Sequence, residues 1–278
     1  MITARTLLAG VVGDPVRHSL SPVIHNAWIQ AARLDGVYLA LPATAESFPS
    51  LVRGLAAGAA QGVNVTIPFK QEAAALADVR SAAVERAGAA NLLVFRDGQV
   101  RADNTDGAGL LAALGQAGFN PFSPVVVLGA GGAARGAVLA LLDAGVPSIR
   151  LINRSLERAR AIAAPHGRIS ALGWDEARQA LDGVAAVINA TSLGMTGQPA
   201  LELDLDRAPA TAVVMDMVYR PLETPLLRAA KARGNPVADG LSMLIAQARP
   251  SFEAMFGRPP PAEVDVRALC EQVLGSDR

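Results

Sequence analysis

Four side chains in this sequence have the type and spacing for proton transfer and anion binding: Lys70, Asp106, Ser19 and Ser21. Pro68 opens a helix, so Lys70 falls in its first turn. An exposed cation there opposes the helix dipole at a cost of about 0.3–1 kcal/mol. A lysine kept at such a position is poised for proton transfer; an ordinary surface lysine is the plain alternative. Asp106 stands at the start of a helix over 110–116, where a carboxylate is favoured and a simple cap explains it equally well. Ser19 and Ser21 lie in Arg17-His18-Ser19-Leu20-Ser21-Pro22, just ahead of a helical run over 23–33. Ser21 before a proline reads first as an N-cap, whereas Ser19 has no such duty. Two hydroxyls beside a helix N-terminus also suit a bound carboxylate.

A second constellation begins where Val125-Val126-Val127-Leu128 reads as a buried parallel strand. Gly129, Gly131 and Ala134 then match the dinucleotide fingerprint G-x-G-x-x-G/A, and residues 133–144 continue as a helix. Glycine lets the backbone turn tightly and approach a pyrophosphate, which the helix amides and dipole attract. About twenty residues on, the strand over 149–152 ends in Asn153-Arg154-Ser155. A fold that binds NAD usually places Asp or Glu there for the ribose 2′-hydroxyl. Here a guanidinium follows instead, and Arg154 with Arg158 suits a 2′-phosphate. The plain alternative is a solvated, arginine-rich helix start at Arg154, Arg158 and Arg160. The cofactor expected is therefore NADP.

The elements that must position these residues form an α/β chain. Strands are expected over 7–12, 37–41, 63–67, 92–95 and 99–102, with helices over 23–33 and 47–57. Past the glycine-rich turn come a strand over 168–171, a helix over 174–181, and strands over 185–189 and 212–217. A helix over 224–233 carries Thr224 as its cap ahead of Pro225. Thr191-Ser192-Leu193-Gly194-Met195 is a loop at a strand's carboxyl end, where open α/β sheets bind ligands. Asp239-Gly240 reads as a turn and hinge before a helix from 241, on which Met243 and Gln247 share one face. A last helix is expected over 264–274.

At 278 residues the chain has room for about two domains. Formal charge balances at zero with only 4% aromatic residues, which disfavours nucleic acid as a partner. Cys270 stands alone, so no intrachain disulfide is possible, and a reducing cytoplasm fits. The apolar run ending at Asp14 is too short for a secretory signal, and none reaches the roughly 18 residues of a membrane helix. A soluble cytoplasmic protein without a membrane or nucleic-acid partner is expected.

Read together, the motifs carry a resemblance. Gly13-Asp14-Pro15-Val16, His18-Ser19-Leu20-Ser21-Pro22, His25-Asn26 and Asn64-Val65-Thr66-Ile67-Pro68-Phe69-Lys70 come first. Asn91, Asn104-Thr105-Asp106-Gly107, Gly129-Ala130-Gly131-Gly132-Ala133 and Asn153-Arg154 follow. Asn189-Ala190-Thr191-Ser192-Leu193-Gly194-Met195, Asp216, Val218-Tyr219, Thr224-Pro225-Leu226-Leu227, Asp239-Gly240, Met243-Leu244 and Gln247-Ala248 complete the series. In this order along nearly the whole chain, they resemble the shikimate dehydrogenase family; Leu92 stands where that family commonly has Thr.

The resemblance implies an N-terminal open α/β substrate domain (1–105 with 241–278) and a Rossmann-type NADP-binding domain (106–240), with the C-terminal helices returning to the first. It implies reversible reduction of 3-dehydroshikimate to shikimate with NADPH and no metal, by a monomer or homodimer. Lys70 then transfers the proton and Asp106 holds it. Ser19 and Ser21 take the carboxylate, while Asn64, Thr66, Asn91, Tyr219 and Gln247 line the rest of the substrate site. Gly129, Ala130, Gly131, Gly132, Ala133, Asn153, Arg154, Arg158, Thr191, Ser192, Met217, Val218, Gly240 and Met243 contact the cofactor. The rival readings are a broader quinate/shikimate dehydrogenase and a non-catalytic dinucleotide sensor. A methylene-tetrahydrofolate dehydrogenase is disfavoured by Ser19, Ser21 and Gln247.

Overall fold

Alternating apolar segments and helix formers build two separate sheets in the computed structural model, which describes residues 2–58 and 60–276. The chain packs as two units, residues 1–105 with 247–278 and residues 106–246.

In the first unit the elements run β1 (Leu7–Gly13), α1 (Ser21–Ala31), β2 (Gly36–Pro42), α2 (Phe48–Ala57), β3 (Ala60–Val65), α3 (Lys70–Leu76), β4 (Val79–Arg80), α4 (Ala82–Ala87), β5 (Leu92–Arg96) and β6 (Gln99–Asp103). They form one six-stranded sheet in the order β2-β1-β3-β5-β6-β4. β1 runs parallel to β2 and β3, while the tight turn at Asp97-Gly98 makes β5 and β6 antiparallel. Phe48, Val52, Phe69, Ala73 and Val84 bury one face of it. Leu92, despite its unusual identity, is 1% exposed and simply joins the core.

The second unit runs α5 (Asp106–Gln116), β7 (Val125–Leu128), α6 (Gly132–Asp143), β8 (Ile149–Ile152), α7 (Leu156–Ala163), β9 (Ile169–Leu172), β10 (Ala186–Asn189), β11 (Val213–Asp216), α8 (Pro225–Ala232) and β12 (Val237–Asp239). Its six strands are all parallel, in the order β12-β11-β10-β7-β8-β9. This is the doubly wound Rossmann order, with the switch point between β7 and β10. Both faces are covered, so β7, β10 and β11 are buried throughout, as their unbroken apolar runs require. The helix α9 (Gly240–Phe256) crosses from the second unit to the first between Ala246 and Gln247, and α10 (Val266–Ser276) follows.

Four expectations need correction. Residues 174–181 form two single 3₁₀ turns rather than one helix. The Gly173 N–H donates to Glu176 Oε2, and the Arg150 guanidinium binds the Ala180 and Asp182 carbonyls, which holds the second turn against β8. No turn occurs at Asp239-Gly240: the strand passes straight into α9, and Asp239 Oδ1 caps it by accepting from the Ser242 N–H and hydroxyl. β3 ends at Val65, so Thr66 and Ile67 lie beyond the strand. Ser21 is not the cap of α1: the helix already includes it, and its N–H donates to Ser19 Oγ at 3.2 Å. Leu20 holds the cap position, and no side chain caps the helix.

Behind α1 lies an aromatic cluster in which His25, 0% exposed, stacks flat on Tyr38 at 4.1 Å and meets Trp28 edge-on. Neither His25 ring nitrogen has a hydrogen-bond partner among the described residues. Burial lowers its pKa to about 3, so the folded protein resists the proton that the unfolded chain takes below about 6.5. This linkage is unfavourable only as pH falls from about 6.5 towards 3, at up to about 1.4 kcal/mol per pH unit. His25→Phe keeps the stack and removes the titration. Melting temperature measured from pH 7 to pH 4 is expected to fall less steeply in the variant, and equal slopes would contradict this account.

Candidate active site

Four of the sequence-derived substrate residues meet in one buried polar network inside the first unit. Asn64, at the end of β3, accepts from the Tyr38 hydroxyl at 2.8 Å, and Ser21 also hydrogen-bonds that tyrosine. Burial holds the Tyr38 phenol well above its ordinary pKa, with the Ser21 bond pulling the other way, so the hydroxyl stays a donor. Asn64 Nδ2 donates to Ser251 Oγ (2.9 Å) and to the Asn91 carbonyl (3.1 Å). Asn91 Nδ2 donates to Thr105 Oγ1 (2.9 Å) and Gln247 Oε1 (3.1 Å), while its Oδ1 accepts from the Thr105 N–H at 2.8 Å. Ser21, Asn64, Asn91 and Gln247 are all under 9% exposed, so these bonds replace water. Tyr38, Thr105 and Ser251 complete the network; Thr105 stands in the Asn104-Thr105-Asp106-Gly107 motif, while nothing in the local sequence marks Tyr38 or Ser251.

The other sequence-derived residues of this unit lie nearer the surface. Ser19, Thr66 and Lys70 are half-buried. Lys70 is the first residue of α3, and its carbonyl accepts from the Ala90 N–H at 2.8 Å, tying the helix start to the strand that follows Asn91. Thr66 follows β3, its N–H bonded to the Val12 carbonyl at 2.9 Å. Its methyl occupies the space where a Cβ on Gly13 would go, which explains glycine in that turn. Lys70 thus belongs to the first unit, and half-buried Asp106 opens α5 and the second. A separate cavity of about 380 Å³, lined by Arg5, Gln61, Arg96 and Asp97 among others, lies at the start of β1 and β3 and contains none of these residues.

In the second unit the switch point is shaped for a nucleotide. Gly129 has φ 107°, and a Cβ there would come within 3.1 Å of the Ala190 carbonyl and 3.0 Å of the Thr191 methyl. Ala130 is half-buried, and Gly131, Gly132 and Ala133 are exposed; beside the last two glycines a Cβ would meet open space. No side chain caps α6, leaving its first N–H groups directed at any anion placed there. Arg154 and Arg158 are exposed at the start of α7, and Asn153 Nδ2 bonds the Ser155 carbonyl. No acid occupies the position beyond β8 where a ribose 2′-hydroxyl would be held. The chain therefore fits a dinucleotide carrying a 2′-phosphate.

Thr191 and Ser192 lie on the loop after β10; Met217, Val218 and Tyr219 lie on the loop after β11. Gly240 opens α9 so close to the second loop that a Cβ would strike the Met217 and Val218 carbonyls. Met243 and Met217 pack on the core beneath β7 and α6. Buried Asn189 and Asp216 tie the two loops together, a role that the sequence motif held without revealing.

Comparison with known proteins follows the same division. A model described as the shikimate dehydrogenase substrate binding domain matches residues 11–93, and one described as shikimate / quinate 5-dehydrogenase matches 116–196. The shikimate 5′-dehydrogenase C-terminal domain model matches 240–270. The protein of Caulobacter vibrioides named shikimate dehydrogenase (NADP(+)) is 52% identical over 279 residues, covering 99% of this chain and 98% of its own. A protein of the same name from Dinoroseobacter shibae is 45% identical, covering 96% and 98%. The shikimate 5-dehydrogenase of Thermus thermophilus, solved in complex with NADP(H) and shikimate, matches with a TM-score of 0.84 at 36% identity, covering 92% and 95%. Quinate dehydrogenase from Corynebacterium glutamicum in complex with NAD matches with a TM-score of 0.86 at 27% identity, covering 97% and 99%.

Asn91 is the hub of the buried network, and its loss takes the acceptor from the Thr105 N–H and a donor from each of Thr105 Oγ1 and Gln247 Oε1. Asn91→Ala is expected to lower the unfolding free energy in urea by about 1–3 kcal/mol. An unchanged midpoint would show that the network carries no stability.

Proposed function

The chain belongs to the shikimate dehydrogenase family, and on that premise we propose that it interconverts 3-dehydroshikimate and shikimate with NADP. The reaction serves chorismate and aromatic amino acid biosynthesis. We place it in the cytoplasm, as a monomer or homodimer; no helix among the described residues is long and apolar enough to cross a membrane. The observation that carries the reading is the end-to-end match to the Caulobacter protein.

The bound nucleotide supplies the hydride in one direction and accepts it in the other. The chain supplies the rest. Gly129 lets the backbone close on the pyrophosphate, and the uncapped amides of α6 bind its charge. Arg154 and Arg158 bind the 2′-phosphate, where Lys or Asp would lose the paired fork or the charge. Thr191, Ser192, Met217, Val218, Gly240 and Met243 line the remainder of the nucleotide.

Lys70 donates a proton to the oxygen that develops at the reduced carbonyl, and takes it back in the oxidation. Asp106 takes the substrate hydroxyl beside that oxygen. Ser19 and Ser21 bind the carboxylate, and Asn64, Thr66, Asn91, Tyr219 and Gln247 orient the ring. Ser19, Thr66 and Lys70 are half-buried, and Asn64, Asn91 and Gln247 are buried, so a substrate hydroxyl at these last three shares bonds they already make.

Steady-state rates with shikimate and quinate, each with NADP and NAD, test the assignment. Shikimate with NADP is expected to give the highest kcat/KM. Lys70→Ala is expected to lower kcat by about 10²-fold or more while the shikimate KM changes little. A wild-type preference for quinate would overturn the substrate, and near-native turnover in Lys70→Ala would overturn the proton donor.

A further inference from the structure

We propose that Asp216 is a positioning residue for nucleotide binding: its buried carboxylate fixes the loops after β10 and β11 against each other. This rests on the reading above, which assigns Thr191 and Ser192 on the first loop, and Met217 and Val218 on the second, to the cofactor.

Asp216 ends β11 and is 0% exposed, in register beside Asn189 at the end of β10. Its Oδ1 accepts from Asn189 Nδ2 at 2.9 Å and from the Val218 N–H at 3.0 Å. Its Oδ2 accepts from Thr224 Oγ1 at 2.7 Å, and the same Thr224 oxygen caps α8 by accepting from the Leu227 N–H at 3.3 Å. Asn189 carries the link onward: its Oδ1 accepts from the Thr191 N–H (3.0 Å) and hydroxyl (2.7 Å), and its Nδ2 also reaches the Leu193 carbonyl. Thr191 Oγ1 then accepts from the Leu193 N–H at 3.1 Å. A single carboxylate therefore sets the first residues of both loops and the entry to α8.

The chemistry at the position calls for an acceptor without donors. Asn189, Val218 and Thr224 all present N–H or O–H groups to it, and a carboxylate alone receives all three without turning a donor inward. Burial pushes the Asp216 carboxyl above its usual range, and the Thr224, Val218 and Asn189 bonds pull it back. None of those three donors is charged, so the site holds geometry rather than an ion pair. On its other side Gly240, where a Cβ would strike the Met217 and Val218 carbonyls, lets α9 start directly against the second loop. Misplacement of Val218 or Thr191 would therefore be felt at the nucleotide and not only in stability.

The test is titration of each folded variant with NADPH, followed by the nucleotide's own fluorescence, alongside melting temperature and steady-state kinetics. Asp216→Ala is expected to weaken NADPH binding at least tenfold. Asp216→Asn, which keeps an acceptor for Asn189 and Val218 but turns an amide donor towards Thr224, is expected to weaken binding several-fold, less than Asp216→Ala. Asn189→Ala combined with Asp216→Ala is expected to cost less than the product of the single effects, because both break one link. If Asp216→Ala does not fold, Thr224→Val removes one donor and leaves the carboxylate, and a several-fold loss of affinity is expected there. A folded Asp216→Ala, or failing that Thr224→Val, with a lowered melting temperature but wild-type NADPH affinity would overturn the inference. The titration needs no turnover. Failure of wild type to oxidise shikimate would strike the enzyme reading alone, while unchanged affinity across the Asp216 series would strike this one alone.

Discussion

The first unit depends on an uncharged hydrogen-bond network that ties distant segments to the ends of its strands. Asn91 bonds Thr105 and Gln247, and Asn64 bonds Tyr38, Ser251 and the Asn91 carbonyl. These groups are buried, so each is satisfied by another protein group or carries the full cost of desolvation. Amides and hydroxyls both donate and accept, which lets a closed set satisfy itself without a buried charge. The same constraint gives α9 a fixed rotation and axial position relative to β3 and β5. Gln247 and Ser251 must both face the network, and they stand four residues apart on the helix. Phe252, beside Ser251, then falls into the aromatic cluster around His25 and Trp28.

The second unit meets a different constraint, close approach of backbone to ligand. At the switch point between β7 and β10 the chain omits side chains where phosphate must come close, and places a positive φ where the turn leaves the strand. The core beneath is continuous, with Val125, Val127, Ile188 and Met215 wholly or almost wholly buried, so the turn rests on a rigid platform. The polar bonds of Asn189 and Asp216 occur only at the strand ends, where the apolar core stops. Thus the glycine turn and the carboxylate link stand side by side on the same edge of one sheet.

Much of this was legible in the sequence because local pattern and tertiary demand coincide. A strand buried on both faces needs an apolar run, so Val125–Leu128 and Ile149–Ile152 were located to the residue. The glycine spacing after Leu128 and the missing acid after Ile152 have backbone and charge consequences that do not depend on distant residues. The network partners do depend on them. Asn64 and Ser251 are 187 positions apart and Asn91 and Gln247 are 156, so nothing near Ser251 signals its burial. Residues 174–181 also depend on a distant partner, since Arg150 on β8 binds the Ala180 and Asp182 carbonyls and holds the second 3₁₀ turn. The role of Ser21 differs at short range: the helix begins one residue earlier than its proline suggests, so Ser21 lies inside it and does not cap it.

Native-state hydrogen exchange at two amides measures the network most directly. The Val65 N–H donates to the Asn91 carbonyl and the Thr105 N–H to the Asn91 side chain, each at 2.8 Å. If the network closes the unit, both amides exchange only by its global unfolding, with the same free energy as the interior strand β1. Exchange of Thr105 at the rate of an open loop, while β1 stays protected, would contradict the account.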